Sequence, residues 1–306
     1  MLLSVVIKRN NIMSQIKFTK KQFDTLFADD EVCLDYLFQK KYKDAHECTA
    51  CKKTFKYYRI RTRKVYSCQY CGHDISPTAN TIFHKSSTSL KDWFYAIYLF
   101  SISKNGVSAK ELQRQLGVTY KTAWRMAHHI RKLCNSDIQL LNGIVEIDET
   151  YVGGKESNKH ADKKVLNAQG RSIKTKTPIL GAIERKGNIV AKVVINVKSS
   201  TIQPFLREHI DITAEIKTDE FRAYASLSTI GYCHETIDHG KKEYVRGEVH
   251  TNNVEGFWSQ LKRSINGTYH FVSPKYLQQY VNEFAYRYNH RNSDIPLFNH
   301  LLVKIV

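Results

Sequence analysis

Three acidic residues stand where metal-assisted phosphoryl chemistry would need them: Asp148 in GIVEIDETYVGG, Asp219 in AEIKTDEFRAY and Glu255 in HTNNVEGFWSQLKR. The first two each close a short β-like run. The third opens a helix-like run, with Lys262 seven residues further on. Carboxylates delivered from strand ends and a helix start can hold two Mg²⁺ ions, or Mn²⁺ in their place, because these hard cations prefer oxygen ligands. A metal pair of that kind stabilises both the attacking and the leaving oxygen of a phosphodiester.

Each carboxylate also has a plainer reading. Asp148 lies among Val145, Ile147, Tyr151 and Val152, where a charge is costly unless it binds something, and Glu146 and Glu149 crowd it with like charge. Strand alternation puts Asp148 on one face with Glu146 and Thr150, and Glu149 on the other, so Glu149 is the rival on that strand. Asp219 precedes the helix-like FRAYASL and could serve as an N-cap, with Glu220 as a competing acid. Glu255 lies three residues after Asn252, which is capping-box spacing. A helix starting there places Asn252, Glu255, Ser259 and Lys262 on one face, while Phe257 and Trp258 turn towards a core.

Stepping outward along the chain, four of the seven cysteines form two CxxC knuckles, Cys48/Cys51 and Cys68/Cys71. Two knuckles at this separation match a zinc ribbon, with four thiolates around a structural Zn²⁺ and no open coordination position. Cys33, Cys134 and Cys233 read as small buried fillers. Seven Lys or Arg between the knuckles, interleaved with Tyr57, Tyr58 and Tyr66, suggest a hairpin with a cationic face.

The formal charge of +18 favours a polyanionic partner, and most of the surplus lies in residues 1–143, upstream of the carboxylates. No run of 18 apolar residues suggests a membrane-spanning helix, and LLSVVI is too short for a secretory segment. The expectation is a cytoplasmic, nucleoid-associated protein without a membrane partner. Met13 is an alternative start, with residues 1–12 as a leader.

The 306 residues divide by pattern into a helical segment over 1–44 and a zinc ribbon over 45–80. The 16–44 stretch presents Phe18, Phe23, Leu26, Phe27, Leu34, Leu37 and Phe38 as a core face. Residues 88–136 read as three helices. The first is capped by Ser89, the second opens with a Ser108–Glu111 capping box and closes at Gly117, and the third starts at Thr119 and carries Lys121, Arg125 and Arg131. That is a helix-turn-helix pattern, whose second helix reads the major groove. Residues 143–292 then give three strands, a helix, a strand, a short fifth strand and later helices, the order of a ribonuclease-H-like α/β domain; residues 293–306 form a helical tail. Between the first two strands runs a basic loop, read either as a solvated insertion or as a DNA-clamping arm, with Lys163, Lys164 and Lys174 as candidate contacts.

Taken together, HTNNVEGFWSQLKR, EIDETYVGGK, IKTDEFRAY and the four-cysteine ribbon resemble the bacterial insertion-sequence DDE transposases related to eukaryotic Merlin transposons, over residues 18–292. The resemblance implies a ribonuclease-H-like catalytic core with Asp148, Asp219 and Glu255 as magnesium ligands and Lys262, followed by Arg263, near the DNA. Members of that group carry either Glu or Asn as the third ligand, so Asn252 or Asn253 stays open as a contributor. The resemblance also implies recognition of terminal inverted repeats, joining of 3′-hydroxyls to double-stranded target DNA, and a homodimer or higher assembly on DNA. Two other readings remain: a catalytically silent DNA-binding regulator and a ribonuclease-H-like nuclease that cuts without joining.

Overall fold

The computed structural model describes residues 18–42, 47–54, 56–135, 139–154, 156–166, 168, 170, 172–237 and 250–305. The alternative start at Met13 lies outside them. The chain divides into two compact units, residues 1–102 with 292–306, and residues 103–291.

In the first unit, Thr19 caps helix α1 (Lys20–Leu26) by accepting from the Gln22 amide, and the Gln22 side chain reaches back to the Thr19 amide. Helix α2 (Asp30–Tyr42) follows. Phe23, Phe27, Leu34, Leu37 and Phe38 are buried as their spacing requires, whereas Leu26 ends α1 on the solvent side, 45% exposed. Strands β1 (Tyr57–Ile60), β2 (Val65–Cys68) and β3 (Asp74–Ile75) make an antiparallel sheet. The predicted hairpin is therefore present, but its charge is partly spent within the unit. Arg59 reaches Glu31 and Asp35 at 3.6 and 3.5 Å, Lys64 reaches Asp30 at 3.4 Å and Arg63 reaches Asp74 at 2.8 Å. Lys52, Lys53, Lys56 and Arg61 stay exposed. Helix α3 (Leu90–Ile102), whose Ser89 Oγ accepts from the Asp92 amide, is apolar nearly all round and buried.

The second unit opens with α4 (Ala109–Leu116) and α5 (Tyr120–Leu133). Ser108 Oγ accepts from the Glu111 amide, and Gly117 ends α4 in the left-handed region at φ 65°, where a side chain would be strained. The capping box is only half made, because the Glu111 carboxylate turns to Arg114 and Gln115 instead of the Ser108 amide. Thr119 caps α5 as expected.

Five strands follow in the order β6-β5-β4-β7-β8: β4 (Ile144–Val152), β5 (Thr177–Glu184), β6 (Ile189–Val193), β7 (Glu215–Asp219) and β8 (Cys233–Ile237). The first three are antiparallel; β7 and β8 run parallel to β4. One sheet face packs Val145, Ile147, Leu180 and Ala182 against Ile202, Phe205 and Leu206 of α6 (Ser199–His209). The other packs Ile179, Ile183 and Ile189 against Val254, Phe257, Trp258 and Leu261 of α7 (Asn252–Ser264), and against Leu277, Val281 and Phe284 of α8 (Pro274–Asn289). Asp219 is followed by short 3₁₀ turns, Arg222–Tyr224 and Ser228–Ile230, instead of the helix that FRAYASL suggests. Cys233 begins the edge strand β8 and is exposed, unlike the buried Cys33 and Cys134.

Helix α8 also covers the other edge of this sheet. The Gln278 carboxamide accepts from the Val193 amide at 2.6 Å and donates to the Ala191 carbonyl at 3.1 Å; Asn289 does the same at Ile189, at 2.8 and 3.1 Å.

Candidate active site and zinc centre

Parallel pairing sets Glu146 of β4 opposite Lys217 of β7, and carrying that register on by two residues brings Asp148 beside Asp219. Adjacent strands lie about 4.8 Å apart, so the two acids are neighbours at the carboxyl end of β7. Opposite Asp148 on its other side is Gly181 of β5, and a Cβ there would sit 2.5 Å from the Trp258 ring. The missing side chain leaves room for the α7 indole against the sheet beside Asp148. Asp148, Asp219, Glu255, Ser259 and Lys262 line one cleft of about 480 Å³, joined by Trp258, Thr251 and Lys176.

The sheet distinguishes the two rival acids of β4. Glu149, 5% exposed, accepts from the Tyr224 hydroxyl at 3.0 Å in the core on the α6 side, and it too reaches the lining of the cleft. Asp148 points to the α7 side and is crowded there: burial, then the charges of Glu149, Asp219 and Glu255, push its carboxyl up to about 7. Glu146, expected to add to that crowding, does not. It is fully buried and accepts from Arg185 Nε at 2.8 Å, from the Asn253 amide at 2.8 Å and side chain at 2.7 Å, and from the Val254 amide at 3.3 Å; His250 Nδ1 stands 3.2 Å away.

Asp219 ends β7 and is followed by no α-helix for it to cap. Its Oδ1 accepts from the Phe221 amide at 3.1 Å, a local turn bond, while the residue still lines the cleft. For Glu255 the capping box fails. Helix α7 is preceded by Thr251, not capped by Asn252, and Glu255 accepts from Thr251 Oγ1 at 3.1 Å. Asn252 is exposed and does not line the cleft, so the one-face grouping holds for Glu255, Ser259 and Lys262 only.

Acids gathered in one cleft are the donor type that a hard divalent cation takes, but among the described residues only the four cysteines of the ribbon bring three or more metal-ligand atoms within 4.8 Å of one another. Lys176, whose Nζ donates to the Gly170 carbonyl, adds a cation to the cleft that the sequence pattern did not single out. Lys163, Lys164 and Lys174 are exposed, as are Lys121 and Arg125 on α5 and Arg263 on α7. Arg131 departs from its expected role. It is 2% exposed and paired at 3.0 Å with Glu283 of α8, so its guanidinium is not available to DNA.

In the first unit the four knuckle thiols lie within 4.8 Å of one another, with Cys48–Cys71 at 3.6 Å and Cys51–Cys68 at 3.8 Å. Tetrahedral Zn²⁺ with Zn–S near 2.3 Å requires S···S separations of about 3.8 Å, whereas a disulfide needs about 2 Å. Both knuckles turn alike: Lys52 and Gly72, each four residues after a first cysteine, have φ near +60 to +70° (61° and 69°). The Cys51 amide, directed at Cys48, is the largest influence holding that thiol down, to about 6. The set fits a structural Zn²⁺. Freshly purified protein is expected to carry one zinc per chain by elemental analysis, and C68S to lose it; zinc retained in C68S would refute the site.

Comparison with known proteins matches the two regions that carry these residues. The ISXO2-like transposase domain matches residues 140–289, and the transposase zinc-ribbon domain matches residues 28–74. The chain belongs to the insertion-sequence DDE transposases of the zinc-ribbon group. It is 27% identical to an uncharacterized protein in transposable element ISH50 of Halobacterium salinarum, over 85% of this chain and 91% of that one. It is also 27% identical to an uncharacterized transposase-like protein of Haemophilus influenzae, over 40% of this chain and 95% of the relative. A chain of the simian T-cell lymphotropic virus intasome in complex with PP2A regulatory subunit B56 gamma aligns at 14% identity over 63% of this chain and 64% of that one, with a TM-score of 0.28, too low to bear on the fold. No described helix is long and apolar enough to cross a membrane.

Proposed function

We propose that this protein cleaves the ends of an insertion sequence and joins the released 3′-hydroxyls to target DNA at the cleft formed by Asp148, Asp219 and Glu255. The observation that carries the reading is their convergence in one cleft with Lys262 and Lys176. The antiparallel β6-β5-β4 block continued by parallel β7 and β8, with helices on both faces, supports a ribonuclease-H-like core. Bound Mg²⁺ would supply charge stabilisation at the attacking and leaving oxygens. Asp148, Asp219 and Glu255 are the residues that would hold the metal.

Lys262 and Lys176 are suited to hold phosphate oxygens on either side of the scissile bond, contacts that position without reading sequence. Terminal inverted repeats are read by the α4–α5 helix-turn-helix through Lys121 and Arg125, which lie one helical turn apart on the exposed side of α5. The ribbon's Lys52, Lys53, Lys56 and Arg61, together with Lys163, Lys164, Lys174 and Arg263, add phosphate contacts. Two ends must be paired for joining, which calls for at least a dimer on DNA.

The test is a strand-transfer assay with a pre-cleaved end, Mg²⁺ and a plasmid target. Joined product is expected from the wild type and none from D219A or E255A. Product that survives either substitution sinks the assignment. Binding without cleavage would make the protein a silent regulator, and nicks without joining would make it a nuclease.

A further inference from the structure

The fully buried Glu146 stands two residues before Asp148 on the same face of β4, yet all its acceptor capacity is taken. A carboxylate offers about four lone-pair sites. Asn253 takes two of them with its amide and side chain, Arg185 takes another and the Val254 amide a fourth. The Arg185 guanidinium also donates to the His250 carbonyl at 3.1 Å, just ahead of α7. The helix has no side-chain N-cap of its own. Its first free amides are satisfied from the sheet instead, by an anion at the positive end of the helix dipole.

From these contacts we infer that Glu146 and Asn253 form a clamp that sets the start of α7 against β4, placing Glu255 across from Asp148 before any metal arrives. The strand that presents the first carboxylate thereby fixes the helix that presents the third. In each element the clamp residue precedes the acid by two positions. Asn253 is thus a positioning residue, not a metal ligand, and Glu146 acts through it. The inference rests on the reading of Asp148 and Glu255 as metal ligands.

Asn253→Asp separates the alternatives. At a ligand position it would add charge and keep or tighten Mn²⁺ binding; in the clamp it sets one carboxylate against another. Helix propensity alone also points the opposite way, because an acid in the first turn favours the helix. Two measurements on the full chain are needed. The first is amide exchange at Asn253, Val254 and Glu255 in metal-free protein. The second is Mn²⁺ affinity by titration, with E255A alongside. The clamp predicts exchange at least about tenfold faster and Mn²⁺ affinity lower by about 10- to 100-fold, the usual cost of disturbing the partners behind a ligand. N253A is expected to give the same changes at smaller size with little change in thermal midpoint. Unchanged exchange in both variants overturns the clamp. Faster exchange with Mn²⁺ affinity intact overturns its positioning role. Failure of the wild type to bind Mn²⁺ would instead remove the metal reading, with the exchange data still deciding whether the clamp exists.

Discussion

Asp148→Asn is expected to stabilise the metal-free protein while abolishing strand transfer. In the fold, burial and then the Glu149, Asp219 and Glu255 charges push the Asp148 carboxyl up to about 7 from an ordinary 3.8. Between those values the folded chain holds a proton that the unfolded chain has released. Stability therefore falls as pH rises through that window, and the whole penalty is present above pH 7. The corresponding ceiling is about 4 kcal/mol. In EDTA, D148N should exceed the wild type in thermal midpoint by several degrees at pH 8 and by little at pH 4. Mg²⁺ should reverse the order, because it relieves the wild type and has less to bind in the variant. A D148N protein less stable than wild type at pH 8 in EDTA would contradict the picture of an acid held at a cost for its metal.

Glu283→Ala has the opposite sign. Glu283 is 1% exposed and serves Arg131 at 3.0 Å, Arg287 at 2.8 Å and the Tyr269 hydroxyl at 3.2 Å. The Arg131 guanidinium lies 3.9 Å over the Tyr280 ring, so removal of Glu283 leaves a charge enclosed between helices. Breaking a buried pair on one side costs about 3 to 5 kcal/mol, on the order of 10 °C in midpoint for a unit of this size. Replacing both partners by apolar side chains of similar volume costs far less. R131M/E283M should therefore be more stable than E283A. A double variant as unstable as the single one would mean that the pair's geometry, rather than its orphaned charge, holds α5 to α8.

The same pair shows where the sequence stops being legible. Spacing along α5 places Arg131 with Lys121 and Arg125 as three cations on the helix expected to read DNA. Its partner is 152 residues away, so no local pattern reveals that one of the three is internal. Local rules did well where the chain decides locally. Alternation along β4 put Asp148 and Glu149 on opposite faces, the two knuckles gave the thiol cluster, and Gly117 ended α4 as expected. The carboxylates were legible as types, and their meeting in one cleft agrees with the reading. The start of α7 was not. Asn252 has the better capping residue type, but Glu146 supplies the anion from 107 residues upstream, and that contact outweighs a local cap. The only trace in the sequence is the excess of acid in an apolar strand: EIDE has more carboxylates than a two-metal site needs from one strand.

The amides of Gln278 and Asn289 along β6 have a consequence for how copies of this protein behave when crowded. An open strand edge is a template: a second chain can add to it, a third to that, and the result is a fibre. At β6, four backbone groups are already bonded to side chains of the same chain. Copies of this chain at high concentration thus meet, at β6, a sheet margin that does not propagate. The β6 edge offers a neighbouring copy little backbone on which to extend the sheet.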